Sequence, residues 1–194
     1  MGAIPFSKYV SISDYLELES TSKEKHEYYQ GEIFAMAGGS LAHNRMVRNA
    51  LSSIDNFLKD KGCEVFPSHL KVHVKTESAF VYPDLTIICN GPQFYENRKD
   101  IITNPVIIIE VLSPDTRGFD RSDKFALYRA IPSLKEYLLI DSTKVHLEKF
   151  VKKSFNEWVL SEYKSFTDKI EIATINFETK LAEFYRNVLF EQKK

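Results

Sequence analysis

Runs of apolar residues, interrupted by polar and glycine-containing turns, divide the chain into predicted helices and strands. The clearest helix covers residues 41 to 61, where apolar side chains recur at helical spacing and Gly62 follows a basic end. Gly31 supplies the tight turn of a predicted hairpin over residues 26 to 37. The pattern also predicts helices over residues 11 to 20, 120 to 131 and 178 to 190, and strands over residues 63 to 66, 70 to 75, 84 to 89, 105 to 112, 136 to 141, 145 to 151, 157 to 164 and 170 to 175.

The segment from Pro105 to Leu112 is apolar at nearly every position, and Glu110 is its only charged residue. A strand of this kind is covered on both faces, so we expect it near the centre of its sheet. The chain has 194 residues, which is about the length of one domain. We therefore predict a single α/β domain over residues 1 to 194, with a mixed β-sheet flanked by helices and an N-terminal helix-hairpin extension.

The charge of the chain is nearly balanced, with 26 basic and 27 acidic residues and a formal net charge of −1. A protein that binds nucleic acid through its bulk charge is expected to be basic. If this chain binds nucleic acid, it must use a local basic patch, keep its acids on another face or bind weakly. The balance is also compatible with no nucleic-acid binding at all.

The two cysteines, Cys63 and Cys89, have no partner at metal-ligand spacing. We expect both to be free thiols in a reducing cytosol. The N-terminus lacks a basic and apolar signal segment, and no apolar run approaches the roughly 18 residues that span a bilayer. The protein is therefore predicted to be cytoplasmic, without a membrane partner.

A pair of carboxylates carries the strongest chemical signal. Asp84 begins one predicted strand directly after Pro83, and Glu110 nearly ends another. If these strands pair as an antiparallel hairpin with residue 97 at its midpoint, both carboxylates lie at the same end of the sheet. The alternation of side chains along a strand can then direct both to one face.

Adjacent carboxylates repel each other unless a cation lies between them or one of them keeps a proton. Oxygen ligands of this kind suit Mg²⁺ or Mn²⁺, and such an ion can bind a phosphate oxygen and lower the pKa of a bound water. The alternative is that each acid is a solvated residue at a strand end. Glu110 favours the metal site, because a carboxylate inside a buried strand is costly without a partner.

The sequence around the two acids resembles known nucleases. Pro83-Asp84 followed by Glu110-Val111-Leu112 resembles the signature of the PD-(D/E)XK nuclease superfamily. The chain also resembles the Uma-two family of restriction-endonuclease-like proteins over roughly residues 8 to 188. The shared motifs are Tyr15-Leu16, Glu27, Gly31-Glu32-Ile33, Met36-Ala37-Gly38, His43, Glu110-Val111-Leu112-Ser113-Pro114, Asp120, Lys124, Tyr128, Glu136-Tyr137 and Asp141. The resemblance implies a restriction-endonuclease-like fold and metal-dependent cleavage of DNA.

The lysine of the superfamily usually lies two residues after the glutamate, where this chain has Leu112. The resemblance implies that the next helix supplies the lysine instead, as Lys124, with Tyr128 one turn later on the same face. An ammonium there could orient the attacking water or stabilise developing negative charge. The alternative is a solvated helix lysine above a buried tyrosine.

Three further residues are candidates for the lining of the site. Glu27 matches a glutamate of the family pattern and is either a third metal ligand or the partner of a cation such as Lys25. His43 is either a hydrogen-bonded histidine on the buried side of its helix or a contact to phosphate or water. Val111 adjoins Glu110 in the motif and is expected to line the site.

Three functions are compatible with these observations. The first is a metal-dependent endodeoxyribonuclease that uses Asp84, Glu110 and Lys124 with Mg²⁺ or Mn²⁺. The second is a module of the same fold that binds DNA or a protein without cleaving. The third is a structural or dimerising protein. DNA is the expected partner, and a homodimer is expected because two-fold symmetry suits cleavage of both strands of a duplex.

Overall fold

The computed structural model describes residues 9–36, 38–114 and 117–190. The N-terminal residues, on which the expectation about a signal segment rests, and Ala37 of the Met36-Ala37-Gly38 motif lie outside the described residues. The α-helices are α1 (Ile12–Thr21), α2 (Leu41–Leu58), α3 (Arg117–Phe119), α4 (Phe125–Arg129) and α5 (Leu181–Phe184). A π-helical turn, Asp120–Lys124, joins α3 to α4, and two 3₁₀ turns cover Lys75–Glu77 and Ala173–Ile175. No helix among the described residues is long and apolar enough to cross a membrane.

The strands form two six-stranded sheets and a separate two-stranded pair. The strands are β1 (His26–Tyr29), β2 (Glu32–Ala35), β3 (Cys63–Pro67), β4 (Lys71–Val74), β5 (Ala79–Val81), β6 (Leu85–Cys89), β7 (Phe94–Tyr95), β8 (Arg98–Ile102), β9 (Ile107–Leu112), β10 (Glu136–Asp141), β11 (Leu147–Ser154), β12 (Glu157–Tyr163), β13 (Lys169–Ile172) and β14 (Phe177–Lys180). The N-terminal sheet has the order β2-β1-β5-β4-β8-β7, and the central sheet has the order β12-β11-β10-β9-β6-β3. Parallel pairs, β4 with β8 and β9 with β10, occur among antiparallel ones, so the predicted mixed α/β class is confirmed.

The predicted N-terminal helix and hairpin are present, and the hairpin forms one edge of a six-stranded sheet. Strand β5, which the sequence pattern did not reveal, pairs with both β1 and β4, so that Tyr28 lies opposite Phe80. The ring of Tyr15 in α1 stacks on Tyr28 with 5.0 Å between centroids. Strand β5 has only three residues, too few for an alternating pattern to be recognised.

The C-terminal segment also differs from its prediction. The expected helix over residues 178 to 190 begins as strand β14, which pairs with β13, and only Leu181–Phe184 is helical. Asn176 has a φ of 54°, a left-handed conformation that reverses the chain between the two strands. The segment between β6 and β9, which was expected to be a connection, likewise contains the small pair β7–β8.

Strand β9 lies inside the central sheet and is buried along its whole length, as its apolar sequence predicts. One face of β9 packs with α2 in a core that contains Ile109 and Met46. The other face packs with the N-terminal sheet and α4 in a core that contains Ile108, Leu112 and Tyr128. Glu110 alternates with Ile109 along the strand, so its side chain enters the layer between the two sheets.

The expectation of free cysteines is wrong. Cys63 and Cys89 are directly opposite each other in the antiparallel pair of β3 and β6, with Cα atoms 4.0 Å apart, and they form a disulfide. The sequence hides this pairing because the two residues are 26 positions apart and carry no motif. The cytoplasmic location, which was predicted together with free thiols, stays a prediction.

Reduction of the Cys63–Cys89 disulfide is expected to lower the free energy of unfolding by about 3 kcal/mol, because the cross-link restricts the unfolded chain. Urea unfolding with and without a phosphine reductant measures the change. A variant with both cysteines replaced by serine is the control and should not respond to the reductant. Identical unfolding midpoints for the native chain in both conditions would contradict the prediction.

Candidate active site

The two candidate carboxylates are brought together by the antiparallel pairing of β6 with β9. Leu85 pairs with Ile109, which is the register predicted from the sequence and places Asp84 beside Glu110. The backbone N–H of Asp84 donates to Glu110 Oε2 at 3.1 Å, and the backbone N–H of Val111 donates to Asp84 Oδ2 at 2.8 Å. The Glu110 carboxyl group is therefore oriented by the backbone of Asp84, and the Asp84 carboxylate by the backbone of the residue after Glu110.

Lys124 is buried, so its interpretation as a solvated helix lysine is wrong. Its ammonium lies 3.1 Å from Glu110 Oε1, 3.3 Å from Glu27 Oε1 and 3.7 Å from Asp120 Oδ1. Tyr128 donates to the same Glu110 oxygen at 2.8 Å. The ammonium thus bridges acids from both sheets and from its own helical segment.

A π-helical turn holds Lys124 in this position, where the sequence predicted an ordinary α-helix. The wider turn directs both Asp120 and Lys124 into the buried layer. Tyr137 on β10 donates its hydroxyl proton to the carbonyl oxygen of Asp120 at 3.1 Å, which supports the turn from the central sheet. Turns of this type interrupt the regular α-helical hydrogen bonding and occur often at functional sites.

Glu27 reaches the site from β1 of the N-terminal sheet. It is 4% exposed, and its Oε1 accepts the backbone N–H of Tyr82 at 3.0 Å in addition to lying near Lys124. Lys25, the cation suggested as its partner, instead donates to the backbone carbonyl of Ser68 at 2.6 Å. The cation beside Glu27 is therefore Lys124. The role of Glu27 as a metal ligand stays a prediction.

His43 on α2 is hydrogen-bonded to the site: its Nε2 lies 3.0 Å from Asp84 Oδ2. Burial lowers the pKa of His43, but the hydrogen bond and charge of Asp84, with the charges of Glu110 and Asp120, raise it overall. Gly39 lies against the ring, and a Cβ at that position would be 2.6 Å from His43 Nδ1. A side chain at position 39 would displace the imidazole from Asp84.

One residue differs from its predicted role, and another residue near the site was not predicted. Val111 was expected to line the site, but its side chain packs on the opposite face of β9 and only its backbone N–H contacts Asp84. Asp120 was not a candidate for the site, although the family motif contains it. Its spacing of four residues from Lys124 is the signal that could have identified it.

The charges around Glu110 change its acidity. The pKa of Glu110 is raised to about 8: burial raises it most, the ammonium of Lys124 opposes this rise, and the charges of Asp84, Asp120 and Glu27 add to it. Burial lowers the pKa of Lys124, but Glu110, Glu27 and Asp120 outweigh burial and raise it. Four carboxyl groups, those of Asp84, Glu110, Glu27 and Asp120, thus lie near one lysine and one histidine and offer hard oxygen donors. This donor set fits Mg²⁺ or Mn²⁺.

The raised pKa of Glu110 predicts a stability that falls as the pH rises from about 4.5 to about 8. In this window the unfolded chain has lost the proton of Glu110 and the folded chain retains it, so each rise in pH favours unfolding. One such group contributes at most about 1.4 kcal/mol per pH unit. Urea unfolding at several pH values should show this slope for the native chain and a smaller slope for Glu110→Gln. Parallel profiles would contradict the prediction.

A second group of possible metal ligands lies on and beside β11 and β12, toward one edge of the central sheet. The ligand atoms of His146, Glu148 and Glu162 all lie within 4.8 Å of one another. Here each carboxylate already has a cation: Arg121 lies 2.8 Å from Glu148 and Lys164 lies 3.1 Å from Glu162. The charges of this group are balanced by the protein itself, unlike those around Glu110.

The paired carboxylates at one strand end and the buried lysine beside them lie in the layer between the two sheets. A family model, Uma2, described as "Putative restriction endonuclease", matches residues 12–182, so the chain belongs to the Uma2 family. The family resemblance expected from the sequence is confirmed.

Relatives and a solved structure agree with this assignment. Two uncharacterized proteins of Synechocystis sp. are similar to the chain: sll1609 is 35% identical over 173 residues, covering 89% of this chain and 98% of that protein, and slr1290 is 34% identical over 188 residues, covering 96% of each. The crystal structure of "a putative nuclease belonging to DUF820" from Anabaena variabilis superposes with a TM-score of 0.77 over 93% of this chain and 99% of that one. Its sequence identity is 15%, so it supports the fold alone.

Proposed function

We propose that this protein is a metal-dependent endodeoxyribonuclease that hydrolyses phosphodiester bonds of DNA. The observation that carries the proposal is the buried Glu110 carboxylate, which lies beside Asp84 and 3.1 Å from the ammonium of Lys124. A buried acid with a second acid and a lysine around it is costly as pure structure, and catalytic sites are where such arrangements recur. Membership of the Uma2 family supports the same reaction.

Asp84, Glu110 and Glu27 would hold the metal, either Mg²⁺ or Mn²⁺, which when bound supplies a water of lowered pKa and a Lewis acid for a phosphate oxygen. Lys124 would donate hydrogen bonds from its ammonium to the attacking water, which orients that water, or to a non-bridging phosphate oxygen. Its positive charge would stabilise the negative charge that develops on phosphorus oxygens. Tyr128 holds Glu110 in orientation by its 2.8 Å hydrogen bond.

The near-neutral charge of the chain requires a local cationic surface if DNA is the substrate. Helix α2 is the candidate: it carries His43, which contacts Asp84, and two arginines, Arg45 and Arg48, and its first turn contains no acidic residue. The helix N-terminus also carries a partial positive charge that attracts phosphate. This surface supports binding of a DNA backbone next to Asp84, the more exposed of the two paired carboxylates.

We expect a homodimer, because two-fold symmetry suits cleavage of both strands of a duplex. Light scattering measures the oligomeric state.

The test is incubation of the purified chain with supercoiled, linear and single-stranded DNA in the presence of Mg²⁺, Mn²⁺ or EDTA. We expect nicking or linearisation with either metal and none with EDTA. Equal cleavage with EDTA would exclude a metal-dependent reaction and indicate a contaminant. A folded protein that cleaves none of these substrates with either metal would overturn the proposal.

The second candidate is a module of the same fold that binds DNA or a protein without cleaving. The observation that favours it is the engagement of Lys124 by three carboxylates, which leaves the ammonium occupied in the resting protein. Binding that survives Asp84→Ala, without cleavage by the native chain, would support this function instead.

A further inference from the structure

The ammonium of Lys124 lies where two of the proposed ligand carboxylates converge. It is 3.1 Å from an oxygen of Glu110 and 3.3 Å from an oxygen of Glu27. A divalent cation between the same two carboxylates would be repelled by an ammonium in contact with both. Metal binding at this site therefore requires that Lys124 give up at least part of its contact with Glu27 and Glu110.

Asp120 is the one acid near Lys124 that belongs to the same helical segment. Its Oδ1 lies 3.7 Å from the ammonium, one turn earlier in the chain. Glu27 and Glu110 come from two different sheets, whereas Asp120 and Lys124 share the π-helical turn and keep their spacing. Tyr137 holds the carbonyl of Asp120 at 3.1 Å, so the turn itself is anchored. Asp120 can therefore accept the lysine without any movement of the backbone.

We propose that Asp120 is a positioning residue that receives the Lys124 ammonium when a divalent cation occupies the site of Glu27 and Glu110. This inference rests on the proposed function. A rotation of the flexible lysine side chain shortens the distance to Asp120 and lengthens the distances to the other two acids. Asp120 thus offsets the loss of the two resting contacts and keeps the ammonium at the edge of the site, within reach of a phosphate.

In this arrangement Lys124 competes with the metal for the site, and Asp120 affects metal binding only through Lys124. Removal of the lysine charge by Lys124→Met should tighten Mn²⁺ binding, by roughly 10-fold, because nothing then has to be displaced. Asp120→Asn should weaken Mn²⁺ binding, again by roughly 10-fold, because the displaced ammonium has no acid to receive it. In the presence of Lys124→Met, the same Asp120→Asn change should have no more than about a 2-fold effect.

The experiment is isothermal titration of the whole chain with Mn²⁺, without DNA, for the native protein, Asp120→Asn, Lys124→Met and the double variant. Circular dichroism confirms that each variant is folded, and Lys124→Gln replaces Lys124→Met if the methionine variant is not. Asp123→Asn is the matched control, since Asp123 is an exposed acid of the same turn and should leave the Mn²⁺ affinity unchanged. Asp120→Glu, which keeps the carboxylate, should restore most of the affinity that Asp120→Asn loses.

Three results would overturn the inference, and they are distinguishable. An equal loss of Mn²⁺ affinity from Asp120→Asn in the native chain and in Lys124→Met would mean that Asp120 attracts or binds the metal directly. Unchanged or weaker Mn²⁺ binding by Lys124→Met would mean that the lysine does not compete. Either result leaves the proposed function intact, whereas a native chain that binds no Mn²⁺ and cleaves no DNA removes the proposed function and this inference together.

Discussion

Lys124→Met is expected to lower the rate constant for DNA cleavage by about 10²- to 10³-fold while the protein still binds Mn²⁺. Methionine has nearly the length of lysine but no charge, so it removes the donor that would stabilise the developing charge and leaves the acids in place. The buried ammonium lies 3.3 Å from Glu27, 3.1 Å from Glu110 and 3.7 Å from Asp120, so the substitution removes the charge that these three acids share. Single-turnover cleavage with saturating enzyme measures the chemical step separately from DNA binding.

The control for this prediction is Lys153→Met, at an exposed lysine of the β11–β12 hairpin, which should retain native activity. Loss of activity in both variants would indicate that bulk positive charge, rather than the position of Lys124, matters for cleavage. Native activity of Lys124→Met would contradict the assignment of this lysine to the catalytic site.

Glu110→Gln is expected to weaken Mn²⁺ binding by at least about 100-fold and to reduce cleavage to background. Glutamine keeps the size of the side chain and an acceptor oxygen for Tyr128, but it removes the charge that a divalent cation requires. The substitution should not unfold the protein, because burial and the neighbouring acids already favour the neutral form of Glu110 and raise its pKa to about 8. Calorimetric titration with Mn²⁺ and the cleavage assay measure the two effects.

Glu148→Gln is a matched control for this prediction. Leu139 pairs with Glu110 on one side and with Glu148 on the other, so both acids lie in one row across the central sheet. Glu148 pairs with Arg121, and we expect its replacement to leave Mn²⁺ binding and cleavage unchanged. If Glu148→Gln abolished Mn²⁺ binding and Glu110→Gln did not, the metal would bind at the group of His146, Glu148 and Glu162 instead.

The pairing of Asp84 with Glu110 could be predicted from the sequence because it depends on local rules. A continuous apolar run marks a strand buried on both faces, and the antiparallel register follows from the positions of two neighbouring strands. The interruption of that run by a carboxylate identified Glu110, since a charge in a buried strand needs a partner. Lys124 was predicted from the family resemblance and not from its distance in sequence from Glu110.

Other parts of the site depended on contacts between distant segments. Glu27 is supplied by the N-terminal sheet, and Lys124 by the segment after β9, so that no spacing in the chain relates them. The disulfide of Cys63 with Cys89 depends in the same way on the register of β3 against β6. The π-helical turn is invisible to helical periodicity because it shifts the register by only one residue within an otherwise helical segment.

The sequence by itself therefore determined which strand is central, which two acids meet and which class of fold results, because strand periodicity and burial are encoded residue by residue. Only the tertiary structure decided that Lys124 is buried among three carboxylates, that Glu27 is one of them, and that Asp120 lies within reach. The physical reason is that these contacts join two sheets and a helical turn across one buried layer, and their geometry depends on how those elements pack.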